Sequence, residues 1–209
     1  MIRGLFVCEG TSDIPLGSLV EDLLADEGLE TRIVRPDLST VPDVSVRRLD
    51  GKIRAATILH GGPPDVLVVH RDVDRTSDTD RRTEIDRSVG VVGLTCPVIC
   101  VLPQTMTESW LLVDVDEIRF VSGNPDGREW MELPPHVESV SDSKAVLQVA
   151  LVDASGLRGR RAARFKARLP QARRELLERL DRHGPVRQLD SFQRLVVDVQ
   201  RAAERLREG

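Results

Sequence analysis

The run Val66-Leu67-Val68-Val69, between Asp65 and His70, offers no polar side to water. A half-exposed strand alternates apolar and polar residues, so an unbroken apolar run predicts a strand covered on both faces. Strands of that kind belong mainly to parallel sheets, whose crossover helices lie on the sheet.

The neighbouring segments fit that frame. Ile2–Cys8 reads as a first strand, and Ser12–Glu27 repeats Ile14, Leu16, Leu19, Val20, Leu23 and Leu24 at helical spacing. Thr31–Arg35 is a short strand stopped by Pro36. A helix is predicted over Val46–Leu59, ending at Gly61-Gly62, another over Asp80–Val92, and a fourth strand over Pro97–Leu102. The expected fold class is therefore α/β, a Rossmann-like parallel sheet flanked by helices and joined by right-handed crossovers.

From residue 104 the pattern changes. Thr107–Val113 reads as a helix packed through Trp110, Leu111 and Leu112, and 122–135 as an irregular Gly/Pro-rich stretch. Helices come next at about 142–154, 159–182 (broken or restarted at Pro170) and 188–207. The expected organisation is a domain over 1–115 and a helical extension over 116–209, which can pack with the first as one compact unit.

Composition narrows the class. Of the 209 residues, 40% are hydrophobic and 31% charged, as in a folded globular chain. No apolar run reaches the roughly 18 residues of a membrane span. Arg3 and the short apolar stretch after it are interrupted by Glu9, so this start reads as a strand and the expected compartment is the cytoplasm, with no membrane partner. Cys8, Cys96 and Cys100 form no CxxC pair and read as buried reduced thiols. No histidine has zinc-ligand spacing to them.

Charge is uneven. Residues 155–209 hold 15 of the 30 basic but only 7 of the 34 acidic side chains, a local net of +8 against −12 for residues 1–154. Arg158, Arg160, Arg161, Arg164, Lys166 and Arg168 could neutralise a nucleic-acid backbone, or could simply be a solvated helix face in an arginine-rich chain. Aromatics are 3% and tyrosine is absent, which argues against a base-stacking platform.

Two acidic segments carry the chemistry. Glu9-Gly10-Thr11-Ser12-Asp13 comes after the first strand, and Asp72-Val73-Asp74 after the third. Carboxylates beyond the carboxyl ends of neighbouring parallel strands face the crevice where such sheets bind ligands. Three hard oxygen donors suit Mg²⁺ or Mn²⁺. Gly10 would permit a tight turn, and Thr11 or Ser12 would cap the next helix, whose N-terminus attracts phosphate. In extended backbone Asp72 and Asp74 project to one side and can share one or two cations. Glu108 would be a further metal ligand or water-positioning base, and Lys144 a phosphate contact. Duller roles compete: Glu9 as a turn cap, Asp72 and Asp74 as loop acids paired with Arg71 and Arg75, Asp13 as a helix-dipole acid and His70 as a structural histidine.

The segments Cys8-Glu9-Gly10-Thr11-Ser12-Asp13 and His70-Arg71-Asp72-Val73-Asp74 resemble the marks of the Toprim fold, found in topoisomerases, bacterial primases and the overcoming-lysogenization-defect (OLD) family of nucleases. A closer resemblance is to uncharacterised small bacterial Toprim-like proteins, through Pro103-Gln104-Thr105-Met106-Thr107-Glu108-Ser109-Trp110-Leu111-Leu112-Val113-Asp114 and Asp142-Ser143-Lys144. Cys8 stands where valine is usual, Ser109 for a common alanine, and Ser143 for the proline of Asp-Pro-Lys. The resemblance implies metal-dependent nuclease or related phosphodiester chemistry on nucleic acid, DNA above all, with Glu9, Asp72, Asp74 and Glu108 as the catalytic acids. It also implies a separate ATPase subunit as partner and a role in phage defence, since the chain has no Walker A motif of its own. The alternatives are a nucleotidyl-transfer enzyme of the primase kind and a non-catalytic interaction subunit. Oligomeric state cannot be read from the residues.

Overall fold

The structure, a computed structural model, describes residues 1–41, 46–74 and 76–208. The chain divides into two compact units, Met1–Arg71 with Thr76–Leu102 and Gln193–Gly209, and Asp72–Arg75 with Pro103–Phe192. The boundary between these units falls at 102/103, where the sequence pattern put it at 115/116, and the C-terminal residues group with the first unit, in which Arg194 and Asp198 bond to Asp78 and Cys100.

The first unit is an α/β sheet of four parallel strands in the order β2-β1-β3-β4. These are β1 (Ile2–Val7), β2 (Thr31–Val34), β3 (Val66–His70) and β4 (Val98–Val101), separated by helices α1 (Pro15–Asp26), α2 (Leu49–His60) and α3 (Asp78–Val92). Every residue of β3 is buried, as its apolar run requires. β2, at the edge, is only half-buried at alternate positions. The close β1–β2 approach depends on Gly4, where an added Cβ would lie 2.6 Å from Ile33 Cγ1. α2 stops where expected, with Gly61 in the left-handed region at φ +87°. α1 starts at Pro15 behind Ile14, so neither Thr11 nor Ser12 caps it. Proline at the first helical positions has no N–H to satisfy and sets the start itself.

The other sheet edge, β4, is closed by the last helix, α9 (Asp190–Glu208). Asp198 accepts from the Cys100 backbone N–H (3.3 Å) and from Arg82 Nη1 (2.7 Å). Arg82 Nε also pairs with Asp78 (2.7 Å), which Arg194 reaches at 3.1 Å. A strand N–H that would face solvent is thus satisfied by a carboxylate.

The second unit holds α4 (Glu108–Leu111), α5 (Val115–Val121), α6 (Ser143–Ala154), α7 (Gly159–Lys166), α8 (Leu169–Glu178) and the first turn of α9. Pro170 restarts the chain as α8, in the first turn where proline is tolerated. Fully buried Trp110 meets Phe192 edge to face at 5.2 Å and donates its indole N–H to Ser191 Oγ at 2.7 Å. Among the described residues, no helix is long and apolar enough to cross a membrane.

Candidate functional site

The sheet order creates one distinctive place in the first unit. β1 runs through α1 to β2 on one side, whereas β3 runs through α3 to β4 on the other. Right-handed crossovers then put α1 and α3 on opposite faces, and the carboxyl ends of β1 and β3 flank the switch point where such sheets place their ligands. The contact between α2 and α3 fits this arrangement, since both crossovers run in the same direction.

The residues at that edge form a row of alternating charge. Arg71 Nε lies 2.6 Å from Glu9 Oε1, and Arg71 Nη1 lies 3.3 Å from Glu84 Oε1. Arg81 Nη1 completes the row at 2.9 Å from Glu84 Oε2. The Glu9 side chain is 40% exposed and that of Arg71 only 19%. The Glu9–Arg71 contact lacks hydrogen-bond alignment, so it is a Coulombic approach more than a directed bond. From the sequence, Arg71 and Arg75 stand only as partners for the loop acids Asp72 and Asp74. The parallel register held the missing signal: Val7 pairs with Val69, so two residues further on Glu9 faces Arg71.

The turn after β1 is fastened locally. Cys8 Sγ donates to Gly10 O at 3.0 Å and accepts from Arg35 Nε at 3.3 Å. Burial pushes the Cys8 thiol pKa up, against the opposing pull of Arg35. Gly10 does not have positive φ, and a Cβ there would meet nothing closer than Ser12 Oγ at 3.6 Å. Glycine's freedom is thus not called on at this position, although Gly10 does follow the strand in a bend. Ser12 donates to Asp13 Oδ2 at 3.0 Å, and Asp13 itself is buried. His70, which ends β3, is 1% exposed.

In the second unit, Asp72 Oδ1 accepts from the Thr107 backbone N–H at 3.1 Å, with the Thr107 hydroxyl at a longer 3.4 Å. Asp72 thus meets the N–H just ahead of α4. The segments 72–74 and 103–105 bond in parallel, Val73 N to Pro103 O (3.1 Å) and Asp74 N to Thr105 O (3.0 Å). Both Asp74 (φ +52°) and Thr105 (φ +62°) occupy the left-handed region, unusual for residues other than glycine. The premise that Asp72 and Asp74 share one extended stretch fails at Asp74, where the backbone turns. Arg75, offered as a partner for these acids, lies outside the described residues.

Glu108 is 6% exposed and pairs with Arg173 Nε at 3.0 Å. Lys144 is exposed in the first turn of α6, which Asp142 caps by accepting from Ala145 N at 2.9 Å. Arg158, Arg160, Arg161, Arg164, Lys166 and Arg168 are all exposed along and beside α7, and none of them makes an ion pair among the described residues.

Comparison with protein-family models, with curated proteins and with solved structures gives no match. Among the described residues no group of three or more His, Cys, Asp or Glu side chains converges as a metal site. Glu9 in the first unit, open to solvent, and Asp72 and Asp74 in the second each offer carboxylate oxygen, the donor type that Mg²⁺ and Mn²⁺ prefer. Glu108 fits less well, because its charge is buried against Arg173.

Proposed function

We propose that this chain performs Mg²⁺- or Mn²⁺-dependent phosphodiester chemistry on nucleic acid, with Glu9, Asp72 and Asp74 as the metal-holding acids. The observation that carries the reading is the sheet order. β1 and β3 are direct neighbours flanking the topological switch, and Glu9-Gly10 and Asp72-Val73-Asp74 come directly after them in the chain. A bound divalent ion would supply charge stabilisation and an activated water. The exposed arginines of 158–168 would hold the phosphate backbone without reading bases, which favours recognition of DNA by charge rather than by sequence. Glu108 is assigned to the scaffold, through Arg173. The Toprim resemblance adds a separate ATPase subunit and phage defence as the setting, with activity expected in that complex. Nuclease assays with Mg²⁺ and Mn²⁺ on plasmid, linear and single-stranded DNA test the reading. Cleavage lost in Glu9→Gln and Asp74→Asn, with the fold retained, supports it, and full cleavage by both variants sinks it.

A second reading, a non-catalytic interaction subunit, is favoured by one observation: Glu9 and Asp72 each already have a partner, Arg71 and Thr107. Metal binding that depends on Glu9 separates the two.

A further inference from the structure

The Arg71 guanidinium lies between two carboxylates just beyond the carboxyl end of β3, 2.6 Å from Glu9 and 3.3 Å from Glu84. We propose that Arg71 is the built-in counter-ion of Glu9, which a divalent cation must displace, so that Arg71 sets the affinity of the cation site. This rests on reading Glu9 as a metal ligand. A guanidinium stays charged at any ordinary pH and has no lone pair to give a metal, so it competes with a cation for Glu9 and cannot help bind it. The competition is winnable for two reasons. The contact is partly exposed and poorly aligned, so little stability is lost when it breaks. Arg71 is also not left stranded, because Glu84 remains within reach and is itself steadied by Arg81 at 2.9 Å.

Arg71 is then a positioning residue whose removal should improve binding. An arginine that held Glu9 in a ligating pose would have the opposite effect, and its loss would weaken binding.

The test is calorimetric titration of Mn²⁺ alone into the full chain. Arg71→Met is expected to tighten the Kd by about five-fold, the scale of a partly exposed ion pair. Glu84→Gln, which leaves Arg71 committed to Glu9, is expected to weaken it about two-fold or more. Arg35→Met controls for charge alone: its guanidinium sits by Cys8 Sγ, and its loss should change the Kd less than about two-fold. Unchanged or weaker binding by Arg71→Met, or a gain no larger than that of Arg35→Met, overturns the proposal. Should Arg71→Met fail to fold, Glu84→Gln decides, and unaltered affinity there overturns it equally. Binding by wild type that survives in Glu9→Gln, or no binding by wild type, removes the ligand reading itself and the proposal with it. Glu9-dependent binding that is indifferent to Arg71 and Glu84 removes the proposal alone.

Discussion

Two arginines in the first unit are built alike and placed differently. Arg82 bridges Asp78 and Asp198, and Arg71 bridges Glu9 and Glu84. At the β4 edge the central acid, Asp198 of α9, is buried and also takes the Cys100 N–H. At the carboxyl edge Glu9 is 40% exposed and holds no strand N–H in this network. The same pairing closes a sheet edge in one place and leaves a solvent-facing acid in the other. Burial and backbone partners, not the ion pair, separate scaffold from candidate site.

The largest effect should come from the buried member. Asp198→Ala leaves Arg82 short of a partner and the Cys100 N–H unpaired, and should cost about 3 kcal/mol in denaturant unfolding. A loss below about 1 kcal/mol would erase the contrast between the two networks.

Alkaline pH probes the same region. Burial, then the nearby charge of Asp198, pushes the Cys100 thiol from 9.0 up to about 12. The folded state therefore keeps a proton that the unfolded chain releases. This contribution to stability is intact below about pH 9 and is lost between about pH 9 and 12, by roughly 1.4 kcal/mol at pH 10. The chain has no tyrosine to mask it. Cys100→Ala should flatten the decline, and an unaltered slope would assign it elsewhere.

At the carboxyl edge the stability effects should be small. Arg71→Met should change unfolding free energy by less than about 1 kcal/mol, as for a partly exposed pair. Gly10→Ala should stay within about 0.5 kcal/mol, having no left-handed φ and no close neighbour to offend. A loss of several kcal/mol in either variant would make this edge scaffold like the other.

These contrasts also explain what was legible in the sequence. The apolar run of β3 announced a doubly covered strand, and Pro170 announced the restart at α8, because both signals are local. Glu9–Arg71 was legible in principle through parallel register. Asp198 with Cys100 and Glu108 with Arg173 were not: they join residues 98 and 65 positions apart, and no periodicity encodes such partners. The left-handed turn at Asp74 was hidden because aspartate only tolerates that conformation. The grouping of α9 with the first unit was hidden for a similar reason: its amphipathic pattern does not say what it packs on, whereas Arg194, Asp198 and Arg205 bond to Asp78, Cys100 and Thr95.

The most direct test of the account is the melting temperature of wild type and Glu9→Gln across a Mn²⁺ series. A cation held by Glu9 stabilises only the folded state, so the wild-type melting temperature should climb with metal while that of Glu9→Gln stays level. Parallel curves for the two proteins would contradict the claim that Glu9 belongs to a metal site.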